Sequence, residues 1–198
     1  MGMTASTVLL RAGLLGAPNI ENPSFEADTF IEGPGYASAN GGVITGWSFQ
    51  GMVGINPYYV GEEKQPMGPF TDNGVIPDGD QVAVCHQNAR LSQRIAGFEA
   101  GKRYVVRYYE NARHNNRPLQ VPELEVRLGN EVIVSKHPVA TVDDFRSHRL
   151  QYAEVISAPF TAPEDGAYTL EFITTGTQAS AMIDHVRIEE LDDESGSE

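Results

Sequence analysis

The dominant pattern along the chain is a set of short runs in which apolar and polar residues alternate with a period of two, cut by turn residues. Tyr104–Tyr109, Leu124–Leu128, Glu131–Ser135, Ala167–Thr174 and Ala181–Glu189 are rich in β-branched and aromatic side chains, which suit a pleated, half-buried surface. They predict strands. Between them Asp78-Gly79, Gly129-Asn130, Asp165-Gly166 and Gly176 supply the residues that tight hairpins need at positive φ. No window reads convincingly as a helix, the best being Thr7 to Leu15. Many strands without alternating helices predict an all-β, antiparallel sandwich or barrel.

Within the strand that starts at Tyr104 the two faces differ. Tyr104, Val106 and Tyr108 form an apolar row expected to enter the core, whereas Arg107, Tyr109, Asn111 and Arg113 form a polar and aromatic row expected to face outward. The stretch Glu32–Asp80 is rich in Gly and Pro and reads as a long ordered loop. It scatters Trp47, Phe49, Tyr58, Tyr59 and Phe70, each of which either packs on the sandwich edge or presents an aromatic face to a ligand.

Composition narrows the classes of partner. With 27 acidic against 14 basic residues, the formal charge of −13 repels nucleic acid and anionic lipid headgroups. Part of that charge lies at the end of the chain, so the sequence divides into an N-terminal extension or expression start (1–18), one β domain (19–190) and an acidic tail or linker (191–198). The partly apolar stretch Thr7–Ala17 is interrupted by Arg11 and too short to cross a bilayer, and no basic residue precedes it as in a signal peptide. The single cysteine, Cys85, has no internal disulfide partner; it reads as a small buried hydrophobe rather than a reactive thiol.

The standard catalytic patterns are missing: the sequence holds no Gly-x-Ser-x-Gly, no His-Glu-x-x-His, no phosphate loop and no Cys-x-x-Cys. Glu110, Glu123, Glu125, Glu154 and Glu171 could in principle pair as glycosidase carboxylates, which need a separation of roughly 5–10 Å. The densest titratable cluster, Asp143-Asp144 with Arg146 and His148, reads as a surface turn. The default expectation is a non-catalytic module.

Several segments taken in order are recognisable. Asn22-Pro23-Ser24-Phe25-Glu26, then Gly46-Trp47, and finally Met182-Ile183-Asp184-His185-Val186-Arg187-Ile188 resemble the opening and closing strands of galactose-binding-like jelly rolls, notably carbohydrate-binding modules of families four, nine, sixteen and twenty-two. Pro77–Gln81 resembles the turn into a central strand of these modules, and Leu91–Ile95 the strand that follows; Gly97–Tyr108 and Phe160–Phe172 are further matches.

The resemblance implies a jelly-roll β-sandwich whose first and last strands lie side by side, with a structural calcium ion where they meet. Glu26 and Asp184 would hold it, with Asn22 as a further side chain and backbone oxygens near Asn19, Glu21 and Lys102 completing the shell. The alternative is that Glu26 and Asp184 satisfy backbone amides or basic groups without a metal. The resemblance further implies binding of an oligosaccharide or polysaccharide, in a larger, multidomain protein outside the cell or at its surface. Arg107, Tyr109, Asn111 and Arg113 would form the sugar-binding face, joined by His86, Gln87, Arg90 and Gln93 from neighbouring strands and by Trp47, Tyr58 and Tyr59 as loop-borne stacking platforms. Arg107 and Arg113 extend this to an acidic glycan, and Asn111–Arg117 is either a rim loop on the sugar or a plain exposed hairpin. A structural or adhesive module is the second expectation, and a polysaccharide lyase or hydrolase the third.

Overall fold

The computed structural model describes residues 17–68, 74–112, 121–139 and 152–192. Its principal strands are β1 (Ser48–Asn56), β2 (Tyr58–Val60), β3 (Gln65–Met67), β4 (Val82–Phe98), β5 (Arg103–Ala112), β6 (Glu123–Leu128), β7 (Glu131–Pro138), β8 (Ala153–Ile156), β9 (Phe160–Thr161), β10 (Gly166–Thr175) and β11 (Ser180–Leu191). Strands β2 and β3 form a separate hairpin. The remaining nine belong to one antiparallel sheet in the order β7-β6-β10-β4-β11-β5-β8, with β1 on β4 and β9 on β5. This is the curled antiparallel β-sandwich that the alternation predicts.

The sheet folds into two layers because β4 changes partner along its length. Its first half, Ala83–His86, pairs with β11, and its second half, Arg90–Phe98, pairs with β10. At the switch Gln87 adopts φ 57°, its N–H bonding to the Ala179 carbonyl at 2.8 Å, and the β1 register slips opposite it. A bulge of this kind bends a strand and raises its twist. The expected turn at Pro77–Gln81 does lead into a strand, but the short strand expected at Leu91–Ile95 is corrected to part of one 17-residue strand, β4. The polar run His86-Gln87-Asn88 at the bend hides its continuity.

The expected loop Glu32–Asp80 is corrected too, since it contains β1 and the β2–β3 hairpin. Strand β1 is hard to read because Gly54 replaces a side chain where Tyr36 bridges to it; a Cβ there would overlap the Gly35 carbonyl. Between the layers lies the main core, including Phe25, Trp47, Leu91, Phe98, Tyr104, Tyr108 and Phe172. Tyr104, Val106 and Tyr108 enter it as the alternation predicts. Phe98 meets Tyr104 edge to face at 4.9 Å, and Tyr108 meets Phe172 likewise at 5.0 Å.

Candidate functional site

A sandwich layer has a second face. On β4 and β11 that outer face carries Val82, Val84 and His86 opposite Ser180, Met182 and Asp184, and the β11–β5 register adds Asn111 beside Met182 and Tyr109 beside Asp184. In an open sheet such a row is solvated. Here Val82, Val84, Asn111, Ser180, Met182 and Asp184 are each 2% exposed or less, and Val82, Val84 and Met182 form a second apolar cluster with Ile76 and Tyr152 packed on it. The layer is buried on both sides around Asp184.

Asp184 is the exceptional group in that cluster. Its Oδ2 accepts the Asp78 N–H at 3.0 Å, while its buried Oδ1 has no hydrogen-bond partner. Asn56 Oδ1 and Arg187 Nε are likewise buried and unpartnered, but neither belongs to a group that releases a proton near neutral pH. Burial pushes the Asp184 carboxyl up to about 7; the nearby charges of Asp78 and Glu26 add to the rise, and the N–H groups of Asp78 and His185 oppose it. Near neutral pH a large share of the carboxyl therefore carries its proton. Tyr152 lies over this region, its hydroxyl donating to Met182 Sδ at 3.5 Å. Burial, followed by the charge of Asp184, raises the phenol pKa.

The strand geometry around Asp184 is irregular. His185 adopts φ 49° and the β11–β5 register breaks between Asp184 and Arg187. The His185 ring stacks against Tyr109 at 6.0 Å. A residue with a Cβ in this backbone region is strained, so β11 holds a bulge directly after its buried acid.

Glu26 and Asp184 converge on one turn, as the resemblance implies, and backbone amides connect them. Asp80 and Gln81 donate to Glu26 Oε1 at 2.8 and 2.7 Å, Asp78 donates to Asp184, and Ser24 Oγ donates to Asp78 Oδ2. Asn22 is turned to the backbone, giving Nδ2–H to the Thr45 carbonyl and accepting the Ala27 N–H. Among the described residues no group of three or more His, Cys, Asp or Glu side chains is placed to hold a metal ion. Both carboxylates accept backbone N–H groups, as the amide-capping alternative has it; a calcium ion would draw its remaining oxygens from backbone carbonyls.

The expected sugar-binding residues scatter. Trp47 is corrected to a core residue, 6% exposed, with Nε1–H donating to the Asn22 carbonyl and its ring against Phe25 and Phe172. Asn111 belongs to the outward row but is fully buried, its Oδ1 accepting the Ala112 N–H, because the outer face is covered there. Gln93 is tied by both ends of its amide to the Glu21 backbone. Arg90 lies on the other layer, paired with Glu171 at 3.2 Å, and Arg107 is paired with Glu189 at 2.6 Å. Tyr58 packs against the main core, and Tyr59 lies by Asp80 and Glu26, its phenol raised by burial and then by those charges. Gln87 marks the bend. Only His86, Arg107, Tyr109 and Asn111 share the Asp184 face. Arg113, Phe70 and the 143–148 cluster lie outside the described residues.

Of the carboxylates weighed as glycosidase pairs, Glu123, Glu125, Glu154 and Glu171 each bind a cation on the surface. Glu110 is buried beside His137 and Tyr108. Cys85 is fully buried, its thiol pushed up to about 12 by burial, which makes it inert as a nucleophile.

The residues that the sequence reading missed are Tyr152 and Met182, and with them the burial of Asp184. A signal was present. Val82-Ala83-Val84-Cys85 and Ala181-Met182-Ile183 are continuous apolar runs, the mark of strands buried on both faces.

Fold and register together define a galactose-binding-like jelly roll. Among solved structures the chain is similar to TmCBM61 in complex with β-1,4-galactotriose, at 12% identity over 89% of this chain and 100% of that one, with a TM-score of 0.53. It is also similar to a cyclase from Fischerella sp. TAU in complex with 4-(1H-indol-3-yl)butan-2-one, at 15% identity over 89% of this chain and 98% of that one, TM-score 0.57. A third likeness is to the CBM22-1–CBM22-2 tandem of Paenibacillus barcinonensis Xyn10C, at 13% identity over 94% of this chain and 50% of that one, TM-score 0.50. At such identities the likeness is one of fold. No curated protein matches the chain. The chain belongs to the HpiC1-like family, described as HpiC1 cyclase, whose model matches residues 16–189.

Proposed function

We propose that this protein is an enzyme of the cyclase type, in which Asp184 donates a proton to an apolar, unsaturated substrate and so starts ring closure. The observation that carries this reading is the buried Oδ1 of Asp184, unpartnered and on the strand face next to an apolar cluster. General acids work best with a pKa near the operating pH, and burial places Asp184 there. The rings of Tyr109 and Tyr152 stand near Asp184, and aromatic faces attract a developing cation. Family membership supports the same reaction class. Tyr152 packs over this cluster, its hydroxyl donating to the Met182 thioether, a weak acceptor.

The test is consumption of alkenyl indoles and alkenyl benzenes, followed by mass spectrometry, by the wild type and by Asp184→Asn. Cyclised isomers from the wild type and a loss of 100-fold or more in Asp184→Asn support the reading. Equal turnover by both proteins would falsify it.

A second reading, sugar binding, is favoured by the stacked Tyr109–His185 pair on the outer face beside Arg107 and by the fold shared with carbohydrate-binding modules. Affinity electrophoresis against plant, algal and host polysaccharides decides it; retardation abolished by Tyr109→Ala would support it, and no retardation by any of them would end it.

A further inference from the structure

Two arginines stand side by side on the outer face of the sheet. Arg187 of β11 is in register with Arg107 of β5, so both side chains leave the sheet on the same side, with Cβ atoms about 5 Å apart. Like charges placed directly opposite each other are destabilising, and here a carboxylate compensates each. Glu189 binds Arg107 Nε at 2.6 Å, and Glu154 binds Arg187 Nη2 at 2.8 Å.

The two ion pairs differ in how fully they use the guanidinium. Glu189 stands on β11, next to the strand of its partner, whereas Glu154 stands on β8, opposite Tyr109 and at the end of the sheet order. Since β5 lies between β11 and β8, the Arg187–Glu154 pair reaches across it on the side where Tyr109 projects. Glu154 takes Nη2 of Arg187, and Nε of the same group is buried without a partner. Nε–H and Nη2–H point the same way and together match both oxygens of a carboxylate. A donor shut off from water without an acceptor costs free energy, so the native pair leaves this fork half used.

The surroundings suit a ring. Tyr109 and His185 are stacked with ring centroids 6.0 Å apart, and Ile156, opposite Arg107, is half exposed. Asp184, opposite Tyr109, is fully buried and does not meet a ligand on this surface. Glu154 is the loosest member of the group, its side chain 38% exposed on a four-residue strand.

We propose that the Nε/Nη2 edge of Arg187 binds the carboxylate of a ring-bearing ligand, and that Glu154 is the group this carboxylate displaces. The incoming carboxylate makes two hydrogen bonds where Glu154 makes one and gives Nε the acceptor it lacks. Glu154 is released into water, so the charge on the patch stays balanced. The ring of the ligand rests on Tyr109 and Ile156, which offer an aromatic face and an apolar side chain. A uronic acid residue of a glycan and a small arylacetic acid share this chemistry. The site adjoins the stacked pair of the sugar-binding reading, but it needs neither that reading nor an acid role for Asp184.

The experiment follows 1H–15N NMR shifts during titration with trigalacturonate and phenylacetate, each against its neutral counterpart, the methyl ester and phenylacetamide, with melting curves to verify folding. In the wild type at least one acid is expected to bind about tenfold more tightly than its neutral counterpart, and whichever acid does so names the source. Glu154→Gln removes the competing carboxylate, so that acid should bind about threefold more tightly while its neutral counterpart is unaffected. Arg187→Gln should abolish the preference for the acid. If neither acid binds more tightly than its neutral counterpart, the carboxylate site is overturned, and the sugar-binding reading stands if trigalacturonate and its ester bind alike. Unchanged or weaker binding of the acid by folded Glu154→Gln also overturns the proposal, and this arm holds even where Arg187→Gln fails to fold.

Discussion

Glu110 and Asp184 are both buried carboxyl groups on adjacent strands, and their surroundings are opposite in kind. Glu110 points into the sandwich from β5, 5% exposed. Both its oxygens are used, Oε2 by the Tyr108 hydroxyl at 3.1 Å and Oε1 by His137 Nε2 at 2.9 Å. His137 comes from β7, at the far edge of the other layer. Burial opposes its protonation, but the contact with Glu110 and the carbonyls of Ser135 and Leu124 outweigh that effect and raise its pKa. Asp184 is buried more completely, has one free oxygen, and has carboxylates rather than a cation for neighbours. A buried charge that is paired joins two layers; one left unpaired keeps its proton. The first arrangement is structural and the second is available for chemistry.

The largest expected effect breaks the chemical half of this comparison. Asp184→Asn preserves shape and removes the acid, so turnover should fall by a factor of 100 or more, within the range for general acids; the same assay on Glu110→Gln should show less than a tenfold change. Next comes Glu110→Ala, which orphans the Tyr108 hydroxyl and unpairs His137. Because His137 is partly exposed, the loss should be about 2 kcal/mol rather than the full cost of a deeply buried pair, read by urea denaturation.

The third prediction concerns pH. Between the unfolded carboxylate value of 3.8 and the folded value of about 7 for Asp184, the folded state retains a proton that the unfolded state has lost. Stability therefore falls as pH rises through that window and levels off above it. Asp184→Asn should melt higher than the wild type at pH 8 and lose this slope. His137 adds a second, smaller decline, present in full below its ordinary value of 6.5 and lost as pH rises through its raised folded value. His137→Gln should remove that part and leave the Asp184 part intact. The smallest effect expected is that of a chelator: amides already cap Glu26 and Asp184, so the melting temperature should stay within about a degree. A drop of several degrees on chelation would restore the calcium that the resemblance implies.

Much of the fold was legible because alternation is a local signal. Tyr104, Val106 and Tyr108 announce their face without knowledge of any neighbour, and the last strand was readable from Met182–Ile188; Asn22–Glu26, expected as the opening strand, forms turns instead, with the Pro23 carbonyl accepting the Val186 N–H. The site was less legible because it depends on what covers a face. Alternation places Asn111 and Tyr109 on one row, but only the packing of Ile76 and Tyr152 over Met182 and Val84 makes that row an interior. Trp47 was ambiguous for a related reason, since an aromatic in a glycine-rich stretch is equally at home on a ligand or against Phe25 and Phe172. Convergence of Glu26 with Asp184 was foreseeable from topology and the turn at Asp78-Gly79 from its residues, whereas the aim of the backbone amides of 78, 80 and 81 at the two carboxylates depends on the packing of the turn.

The most direct test of the central claim is a 13C NMR titration of the aspartate carboxyl groups in wild type and Asp184→Asn. The account predicts one resonance, absent from the variant, that titrates close to pH 7. A missing resonance that titrates below pH 5 would mean that Asp184 is an ordinary carboxylate at neutral pH and would contradict its role as the acid.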